Sequence, residues 1–345
     1  MIQLAFRTVA LVKRYPLAIS RGTQAGSSNL FVFASDGSHE GVGELAPAIS
    51  SDWTAERGQA QLLAFAASFD VAAGPHAAWA AMRARAVDPP AMAALDVALW
   101  DLLAKRAGLP LRVLLGLPRP NLPTSVTIGL NPPAVTRERV PEILRRTGAR
   151  ALKIKLGSPE GREHDRAHFA AAAGAAAPFG VRLRVDANGG WTVDEALAMD
   201  RWLAGRGVDY VEQPLAEGRE DDLPRLFARR TLPIFADESC RVAADVPRLA
   251  DRVDGVNLKL MKCGGITEAL RIVAAARAHG LATMIGCMSE SSVAIAAGAS
   301  LGALFDHLDL DSHLNLAPDP AEGAPIADGI VAPLERPGHG GALRA

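Results

Sequence analysis

Residues 182–188 read RLRVDAN, in which a short run with apolar positions, RLRV, is followed by an acid, Asp186. An apolar run followed by an acid returns in YVEQP at 210–214 and in IFADES at 234–239. The acids that end these three runs stand 26 and 25 residues apart. This interval is typical of repeated strand–helix units, because parallel strands need long and usually helical connections.

Five further apolar runs extend the pattern in both directions. The eight strand-like runs cover residues 125–128, 151–156, 182–185, 210–212, 234–236, 255–260, 282–285 and 307–310. Helix-like stretches lie between them, most clearly at 159–177, 193–204, 266–279 and 291–304. Eight strands that alternate with helices favour a closed α/β barrel over an open doubly wound sheet. The open sheet stays an alternative, although the first strand–helix turn lacks the G-x-G-x-x-G pattern.

The first third of the chain follows a different plan. Strand-like runs cover 2–12, 29–34 and 40–44, and helical patterns cover 53–70, 77–86 and 89–106. Strands followed by helices predict an α+β domain. The stretch LPRP at 117–120 marks the change of pattern. We therefore place the α+β domain at residues 1–118, the barrel at 119–312 and a C-terminal segment at 313–345.

Composition and charge argue against several classes of protein. The 345 residues hold 37 Lys and Arg against 38 Asp and Glu, so we expect neither nucleic-acid binding nor attraction to an anionic membrane. The longest uncharged apolar run, 292–305, is too short to span a bilayer. The three cysteines lack C-x-x-C spacing, which argues against a disulfide scaffold or structural zinc and favours a cytoplasmic location.

Three acids follow successive strands of the predicted barrel, namely Asp186, Glu212 and Asp237. Active sites of such barrels lie at the C-terminal ends of the strands, and neighbouring strands are about 4.8 Å apart. The three carboxylates would therefore converge and repel one another unless a cation neutralised them. Oxygen ligands favour Mg²⁺. The alternative for any single acid is a salt bridge or a helix N-cap.

Three lysines accompany the acids. Lys153 and Lys155 alternate with apolar residues in strand two, so both face the barrel interior, where we expect each to lower the other's pKa. Lys259 lies in strand six and would stand across the barrel mouth from Lys155. The alternative role of Lys153 is a structural ion pair with a carboxylate. We expect Lys262, in the loop after strand six, to be exposed to solvent.

Asp309 and Asp311 alternate with leucines in strand eight and share one face of that strand. Two acids side by side at the barrel mouth need a positively charged partner. That partner is either the ammonium group of a substrate or a protein Lys or Arg from a neighbouring strand.

As a set, these residues resemble the enolase superfamily, in its muconate lactonizing enzyme subgroup. The motifs that carry the resemblance are Lys153-Ile154-Lys155, Asp186-Ala187-Asn188, Glu212-Gln213-Pro214, Asp237-Glu238-Ser239 and Asn257-Leu258-Lys259. Asp309-Leu310-Asp311 narrows the resemblance to the dipeptide epimerases, such as those acting on L-Ala-D/L-Glu. The implied fold is a modified (β/α)7β TIM-like barrel with an N-terminal α+β capping domain, to which the C-terminal segment returns.

The resemblance also implies a reaction. It places one Mg²⁺ ion per subunit on Asp186, Glu212 and Asp237. Lys155 and Lys259 would be the two acid/base lysines, with Lys153 tuning Lys155. The implied activity is an isomerase reaction that inverts the stereocentre beside the carboxylate of a small dipeptide by 1,1-proton transfer.

Further implied contacts concern the substrate. Asp309 and Asp311 would hold its α-ammonium group, and a lid loop near 19–28, with two glycines as hinges, would bring Arg21 to its side chain. Gln24 lies near a position where we expect a basic residue in glutamate-specific members, so the preferred dipeptide stays open. We also expect a homo-oligomer and a role in peptidoglycan recycling.

Several other functions stay open at this point. Within the subgroup these are N-acylamino acid racemase, o-succinylbenzoate synthase and cycloisomerase, which share the lysines. Outside it they are a barrel that binds a metal without catalysis and an aldolase that forms a Schiff base. The acids of strand eight favour the epimerase, because the substrates of the related enzymes lack a free α-ammonium group.

Overall fold

The N-terminal part of the chain is a three-stranded antiparallel sheet. The computed structural model describes residues 2–49 and 51–344. The strands are β1 (Gln3–Ile19), β2 (Gly22–Ser35) and β3 (Glu40–Leu45). The segment near 19–28, expected to be a lid loop, is built from the ends of β1 and β2, which continue to a two-residue turn at Ser20 and Arg21. The segment is the tip of a β-hairpin.

Two glycines suit the backbone of this hairpin. Gly22 has a φ of 144°, which other residues rarely adopt and which suits the turn. Gly26 faces Val12 on β1, and a Cβ atom at Gly26 would stand 2.4 Å from the carbonyl oxygen of Leu11. Gly26 therefore permits close packing of β2 on β1.

Helices cover one face of this sheet. They are α1 (Ala55–Ala66), α2 (Pro75–Ala84), α3 (Pro89–Arg106) and α4 (Leu111–Leu114). Helix α3 is buried along most of its length, since it lies between the sheet and the second part of the chain. Gly41 and Gly43 of β3 allow the close approach, because a Cβ atom on either would stand 2.0 Å from a carbonyl oxygen of α3.

The second part of the chain is an eight-stranded parallel barrel. Its strands are β4 (Ser125–Ile128), β5 (Ala151–Lys155), β6 (Arg182–Asp186), β7 (Val208–Glu212), β8 (Ile234–Ala236), β9 (Gly255–Lys259), β10 (Ala282–Gly286) and β11 (His307–Asp309). Their order in the sheet is the order in the chain, and a parallel bridge between Thr124 and Leu308 joins the last strand to the first. The predicted eight-stranded barrel is confirmed.

Helices connect the strands on the outside. They are α5 (Pro133–Thr147), α6 (Arg162–Ala176), α7 (Val193–Ala204), α8 (Leu223–Phe227), α9 (Val246–Leu249), α10 (Leu260–Cys263), α11 (Ile266–Ala278) and α12 (Ser292–Ser300). Apolar residues of the strands pack against them and form the main core. The strand side chains that alternate with this apolar set point into the barrel, and that is how lysines and acids come to line the interior.

The C-terminal segment adds four short strands, β12 (Ala321–Glu322), β13 (Ile326–Ala327), β14 (Ile330–Val331) and β15 (Ala342–Leu343). It also contacts the N-terminal part. The backbone N–H of the buried His339 donates to Asp101 of α3 at 2.7 Å, and its ring lies 2.7 Å from the carbonyl oxygen of Val42. No helix in the described part of the chain combines the length and apolar character needed to cross a membrane.

Candidate active site

Three carboxylates meet at the C-terminal ends of neighbouring barrel strands. Asp186 and Glu212 end β6 and β7, where they are partners in register, and Asp237 follows β8. One oxygen of each lies within 4.8 Å of the others, and all three side chains are fully buried. We call this group the acidic trio. Its three ligands are all oxygen atoms, which suits Mg²⁺ better than zinc.

The charge of the acidic trio is not evenly compensated. Burial, and next to it the charge of Asp186, raises the pKa of Glu212 to about 8. Burial works in the same direction on Asp186 and Asp237, but lysines outweigh it and hold both pKa values below the usual range. The repulsion among the three buried acids therefore falls mainly on Glu212 and disfavours its ionised form. A divalent cation would offset this repulsion.

Two lysines reach the acidic trio from opposite walls of the barrel. Lys155 Nζ, at the end of β5, lies 2.5 Å from Asp186 Oδ2, and Lys259 Nζ, at the end of β9, lies 2.7 Å from Asp237 Oδ2. Strands β5 and β9 are four positions apart in an eight-stranded barrel, so they face each other. The strands of the acidic trio lie between them. The site thus places an amine on each side of the carboxylate cluster.

Lys153 forms the structural ion pairs that the sequence left as its alternative role. Its Nζ lies 2.5 Å from Asp309 Oδ2, 2.8 Å from Glu212 Oε2 and 3.2 Å from Asp186 Oδ2. Burial alone would lower the pKa of Lys153, but these carboxylates raise it well above its usual value. The expectation that a second lysine lowers this pKa is wrong, because three acids surround the group.

The two acids of strand eight have different surroundings. Asp309 accepts hydrogen bonds from Lys153 and, at 2.5 Å, from Ser125 Oγ, so its positive partner here is a protein lysine. Asp311 lies beyond the end of β11 and accepts from the backbone N–H of Thr127 at 2.6 Å. Burial and the charge of Asp309 raise the pKa of Asp311 to about 6. Asp311 is the acid of the pair that has no lysine partner in the described structure.

Arg21 connects the hairpin tip to the barrel. Its guanidinium lies 2.5 Å from Glu238 Oε1 and donates to the carbonyl oxygen of Asn188 at 2.8 Å. Glu238 directly follows Asp237 of the acidic trio, and Asn188 lies two residues after Asp186. The hairpin tip therefore closes over the ends of β6 and β8.

Lys262 is buried, and the expectation that it is exposed to solvent is wrong. Its ammonium group donates to Asp237 Oδ1 and to the carbonyl oxygens of Cys240 and Asn257. The reason is local: α10 begins directly after β9, so its first turn leads Lys262 back over the strand ends.

A cavity of about 620 Å³ lies between the hairpin, the stretch after β3 and the barrel mouth. Lys155, Lys259 and Asp237 form part of its floor. The wall from the N-terminal part and from the stretch after β10 combines polar residues with an apolar set, namely Leu17, Ile19, Pro47, Ile49, Trp53 and Met288. Lys155, Lys259 and Asp237 thus open into a space that has an apolar stretch of wall.

Sequence reasoning missed Lys13 and Ser289, which are hydrogen-bonded in a chain to Gln24 of the cavity wall. Lys13 of β1 donates from Nζ to Ser289 Oγ at 2.5 Å, and Ser289 Oγ lies 2.5 Å from Gln24 Oε1. These residues come from two strands and a distant loop. Nothing in the sequence pattern brings them together, because the hairpin register places Lys13 and Gln24 beside the loop after β10.

Two family models match the chain. Residues 1–116 match the mandelate racemase/muconate lactonizing enzyme N-terminal domain, and residues 135–345 match the enolase C-terminal domain-like family.

Similar proteins have related descriptions. The chain is 59% identical to a hydrophobic dipeptide epimerase of Roseobacter litoralis, over 99% of both chains, and 54% identical to one of a Flavobacteria bacterium, over 99% of both. A solved dipeptide epimerase of Enterococcus faecalis, in complex with Mg and the dipeptide L-Leu-L-Tyr, superposes with a TM-score of 0.89 at 31% identity, over 99% of both chains. On the fold, the site and these matches, the chain belongs to the mandelate racemase/muconate lactonizing enzyme family of the enolase superfamily.

Proposed function

We propose that this protein is a Mg²⁺-dependent dipeptide epimerase that prefers apolar dipeptides. The observation that carries the proposal is the acidic trio flanked by Lys155 and Lys259 on opposite barrel walls. The descriptions of its relatives as hydrophobic dipeptide epimerases, and of a solved relative with Mg and a dipeptide, support the same reaction.

The chemistry follows from the position of the two lysines. A proton beside a carboxylate is a very weak acid, because its removal puts negative charge on the carboxylate oxygens. Mg²⁺ held by the acidic trio would supply the positive charge that stabilises those oxygens. One lysine amine takes the proton as the Cα–H bond breaks, and the ammonium group of the other lysine returns a proton to the opposite face of Cα. The stereocentre is thereby inverted.

The ends of the dipeptide have candidate contacts on either side of this centre. Asp309 and Asp311 are proposed to hold the α-ammonium group, with Asp311 as the acid that has no lysine partner in the described structure. Lys153 is proposed as a positioning residue, because it ties Asp309 to Glu212 of the acidic trio. Arg21 lines the cavity and is proposed to contact the substrate side chain.

The preference for apolar dipeptides rests on the cavity wall. Leu17, Ile19 and Trp53 line it, and pockets of this kind bind apolar groups by removing them from water. Arg21 is the cation that could bind the carboxylate of a glutamate side chain. Its guanidinium is already paired with Glu238 at 2.5 Å. A charged side chain would therefore gain less in this cavity than an apolar one.

Three further features belong to the proposal. A cytoplasmic location agrees with three free cysteines. A homo-oligomer, with domain boundaries at 118/119 and 312/313, stays a prediction that light scattering and limited proteolysis can check. A role in peptidoglycan recycling also stays a prediction, and an apolar cavity wall points to a wider set of dipeptides.

The experiment that tests the function is a dipeptide screen in D₂O. The purified protein is incubated with Mg²⁺ and a library of dipeptides, and mass spectrometry follows the gain of one deuterium per molecule. We expect exchange and epimerisation with dipeptides whose second residue is apolar, and weaker or no exchange when that residue is charged. No exchange with any dipeptide would contradict the proposal and favour a barrel that binds metal without catalysis.

A further inference from the structure

Lys13 is a buried cation that makes no direct ion pair in the described structure, although the charge of Asp311 acts on it and favours its protonated form. It lies on β1, the first strand of the hairpin, and is 8% exposed. Its contact is Ser289 Oγ at 2.5 Å, and no carboxylate of the described residues lies within 4.0 Å of its Nζ. Burial lowers the pKa of Lys13 to about 8. Burying an ammonium group costs free energy unless hydrogen bonds and nearby charges stabilise it.

The chemistry of the contacts fixes the direction of the hydrogen bonds. A protonated lysine can only donate, so Ser289 Oγ accepts from Lys13 and gives its single proton to Gln24. The 2.5 Å distance from Ser289 Oγ to Gln24 Oε1 is that of an O–H···O bond and is short for an N–H donor. The oxygen of the Gln24 amide is therefore turned toward Ser289.

This orientation leaves the amide nitrogen of Gln24 for the cavity. Gln24 and Ser289 both line the cavity described above. Within residues 2–49 and 51–344, Gln24 Nε2 has no hydrogen-bond acceptor in the structure. The three residues, which we call the Lys13 relay, thus present a neutral N–H donor of fixed direction.

The position of the Lys13 relay indicates which substrate group it meets. Ser289 follows β10, whose last residue, Gly286, is the register partner of Lys259 on one side and of Asp309 on the other. The relay therefore stands over the sector between a proton-transfer lysine and the proposed ammonium site. In a dipeptide, the group between the reacting carbon and the α-ammonium end is the peptide bond, and its carbonyl oxygen is a hydrogen-bond acceptor.

We propose that Gln24 Nε2 donates a hydrogen bond to the peptide carbonyl oxygen of the dipeptide, and that Lys13 and Ser289 are positioning residues that hold the amide in this direction. This inference rests on the proposed function and adds a specificity-determining contact to it. It explains why a buried lysine stands behind a neutral side chain: Ser289 Oγ can only accept from the lysine, which leaves its own proton for Gln24.

The test compares a dipeptide with its thioamide analogue, in which sulfur, a weak acceptor, replaces the carbonyl oxygen. Deuterium exchange gives kcat/KM for both compounds. We expect Gln24→Leu to lower kcat/KM for the dipeptide about tenfold, the typical effect of one hydrogen bond, mainly through KM. For the thioamide we expect little change, so the preference of the unchanged protein for the oxygen compound should disappear in the variant.

Further variants separate the roles of the relay residues. Ser289→Ala frees the amide to turn and should reduce the same preference without abolishing exchange. Lys13→Met should also reduce the preference for the oxygen compound. Lys13→Arg, which still donates a hydrogen bond, should keep that preference near the value of the unchanged protein. Gln59→Leu on α1 is the matched control and should leave the preference unchanged. A melting curve for each variant identifies any that fails to fold, in which case Gln24→Leu alone decides.

The failure of this inference can be distinguished from the failure of the proposed function. Exchange by the unchanged protein, with equal loss for both compounds or no loss in Gln24→Leu, would overturn the contact while the proposed function stands. No exchange by the unchanged protein with any dipeptide would overturn the function and this inference with it.

Discussion

Asp311 is the residue on which the proposed recognition of the dipeptide ammonium group depends most directly. Its Oδ2 accepts from the backbone of Thr127, while its Oδ1 lies 3.8 Å from Cys287 Sγ. We expect Asp311→Asn to lower kcat/KM for a dipeptide by about tenfold or more, because hydrogen bonds to charged groups contribute about 1.5–3 kcal/mol. An N-acylated amino acid has no α-ammonium group, so its kcat/KM should change little. Initial rates with both substrates check this.

The same residue predicts a pH dependence. Burial and Asp309 raise the pKa of Asp311 to about 6, so the carboxylate that is proposed to bind the ammonium group is lost as the pH falls through that value. The KM for dipeptides should therefore rise below pH 6. Asp309→Asn is a poorer test, because Asp309 also holds Lys153. An equal loss for dipeptide and N-acyl substrate in Asp311→Asn would contradict the assignment.

At the residue scale, the sequence predicted the groups that follow strands directly. The acidic trio could be predicted because each acid ends or follows its own strand, and the register of a parallel sheet aligns strand ends. Lys262 could not be predicted in the same way, since its direction depends on where α10 begins. The partners of Lys153 could not be predicted either, because they come from three other strands.

At the scale of elements, the hairpin depends on a glycine. A Cβ atom at Gly26 would stand 2.4 Å from the carbonyl oxygen of Leu11, and backbone cannot move aside as a flexible side chain can. We expect Gly26→Ala to destabilise the protein by about 1–3 kcal/mol, the range for overpacking, and to lower activity by moving the hairpin tip. Urea unfolding followed by circular dichroism measures the change.

The control for this substitution is Gly174 in α6. It is exposed, lies inside the helix and has open space around its Cβ position. Gly174→Ala should stabilise the protein by about 0.5–1 kcal/mol through the unfolded chain and helix propensity. If Gly26→Ala were as well tolerated as Gly174→Ala, the close packing of β1 on β2 would not be what shapes the hairpin.

The end of one helix joins three parts of the chain. The backbone and hydroxyl groups of Ser291, before α12, donate to Glu44 of β3 at 3.0 and 2.6 Å. The hydroxyl of Ser292 donates to Asp319 of the C-terminal segment at 2.6 Å. Both carboxylates satisfy groups at a helix N-terminus, where negative charge is favourable. The sequence predicted α12 from its apolar run, but not these caps, because Glu44 lies 247 residues from Ser291.

The bounds of the barrel strands could be predicted closely, and those of the hairpin could not. Barrel strands are short apolar runs between helices, so composition marks both ends. The hairpin strands β1 and β2 continue through polar stretches such as 23–28, which have no apolar alternation to mark them. Pairing between the two strands extends them, and pairing is not visible in local sequence.

At the scale of the whole molecule, the acidic trio couples metal binding to stability. The three carboxylates are buried together, so a cation that binds the folded protein and not the unfolded chain stabilises it. At a Mg²⁺ concentration about 100 times the Kd, the gain is about 2.7 kcal/mol. We expect the melting temperature of metal-free protein to rise by several degrees when Mg²⁺ is added. Differential scanning calorimetry measures the change.

Asp186→Asn provides the matched control, because it removes one ligand of the acidic trio and keeps its size. Its melting temperature should respond little to Mg²⁺ up to millimolar concentrations. A response as large as that of the unchanged protein would show that the stabilising ion binds elsewhere.

In the proposed mechanism, Lys155 and Lys259 serve opposite faces of one substrate carbon held beside the acidic trio. The most direct measurement is deuterium exchange at the α-carbon of both epimers of one dipeptide, in D₂O with Mg²⁺, for Lys155→Ala and Lys259→Ala. We predict that epimerisation falls by at least about 10²-fold in both, as expected for loss of an acid/base group, and that each variant still exchanges one epimer, a different one in each. Retained epimerisation, or loss of exchange for the same epimer in both variants, would contradict the claim.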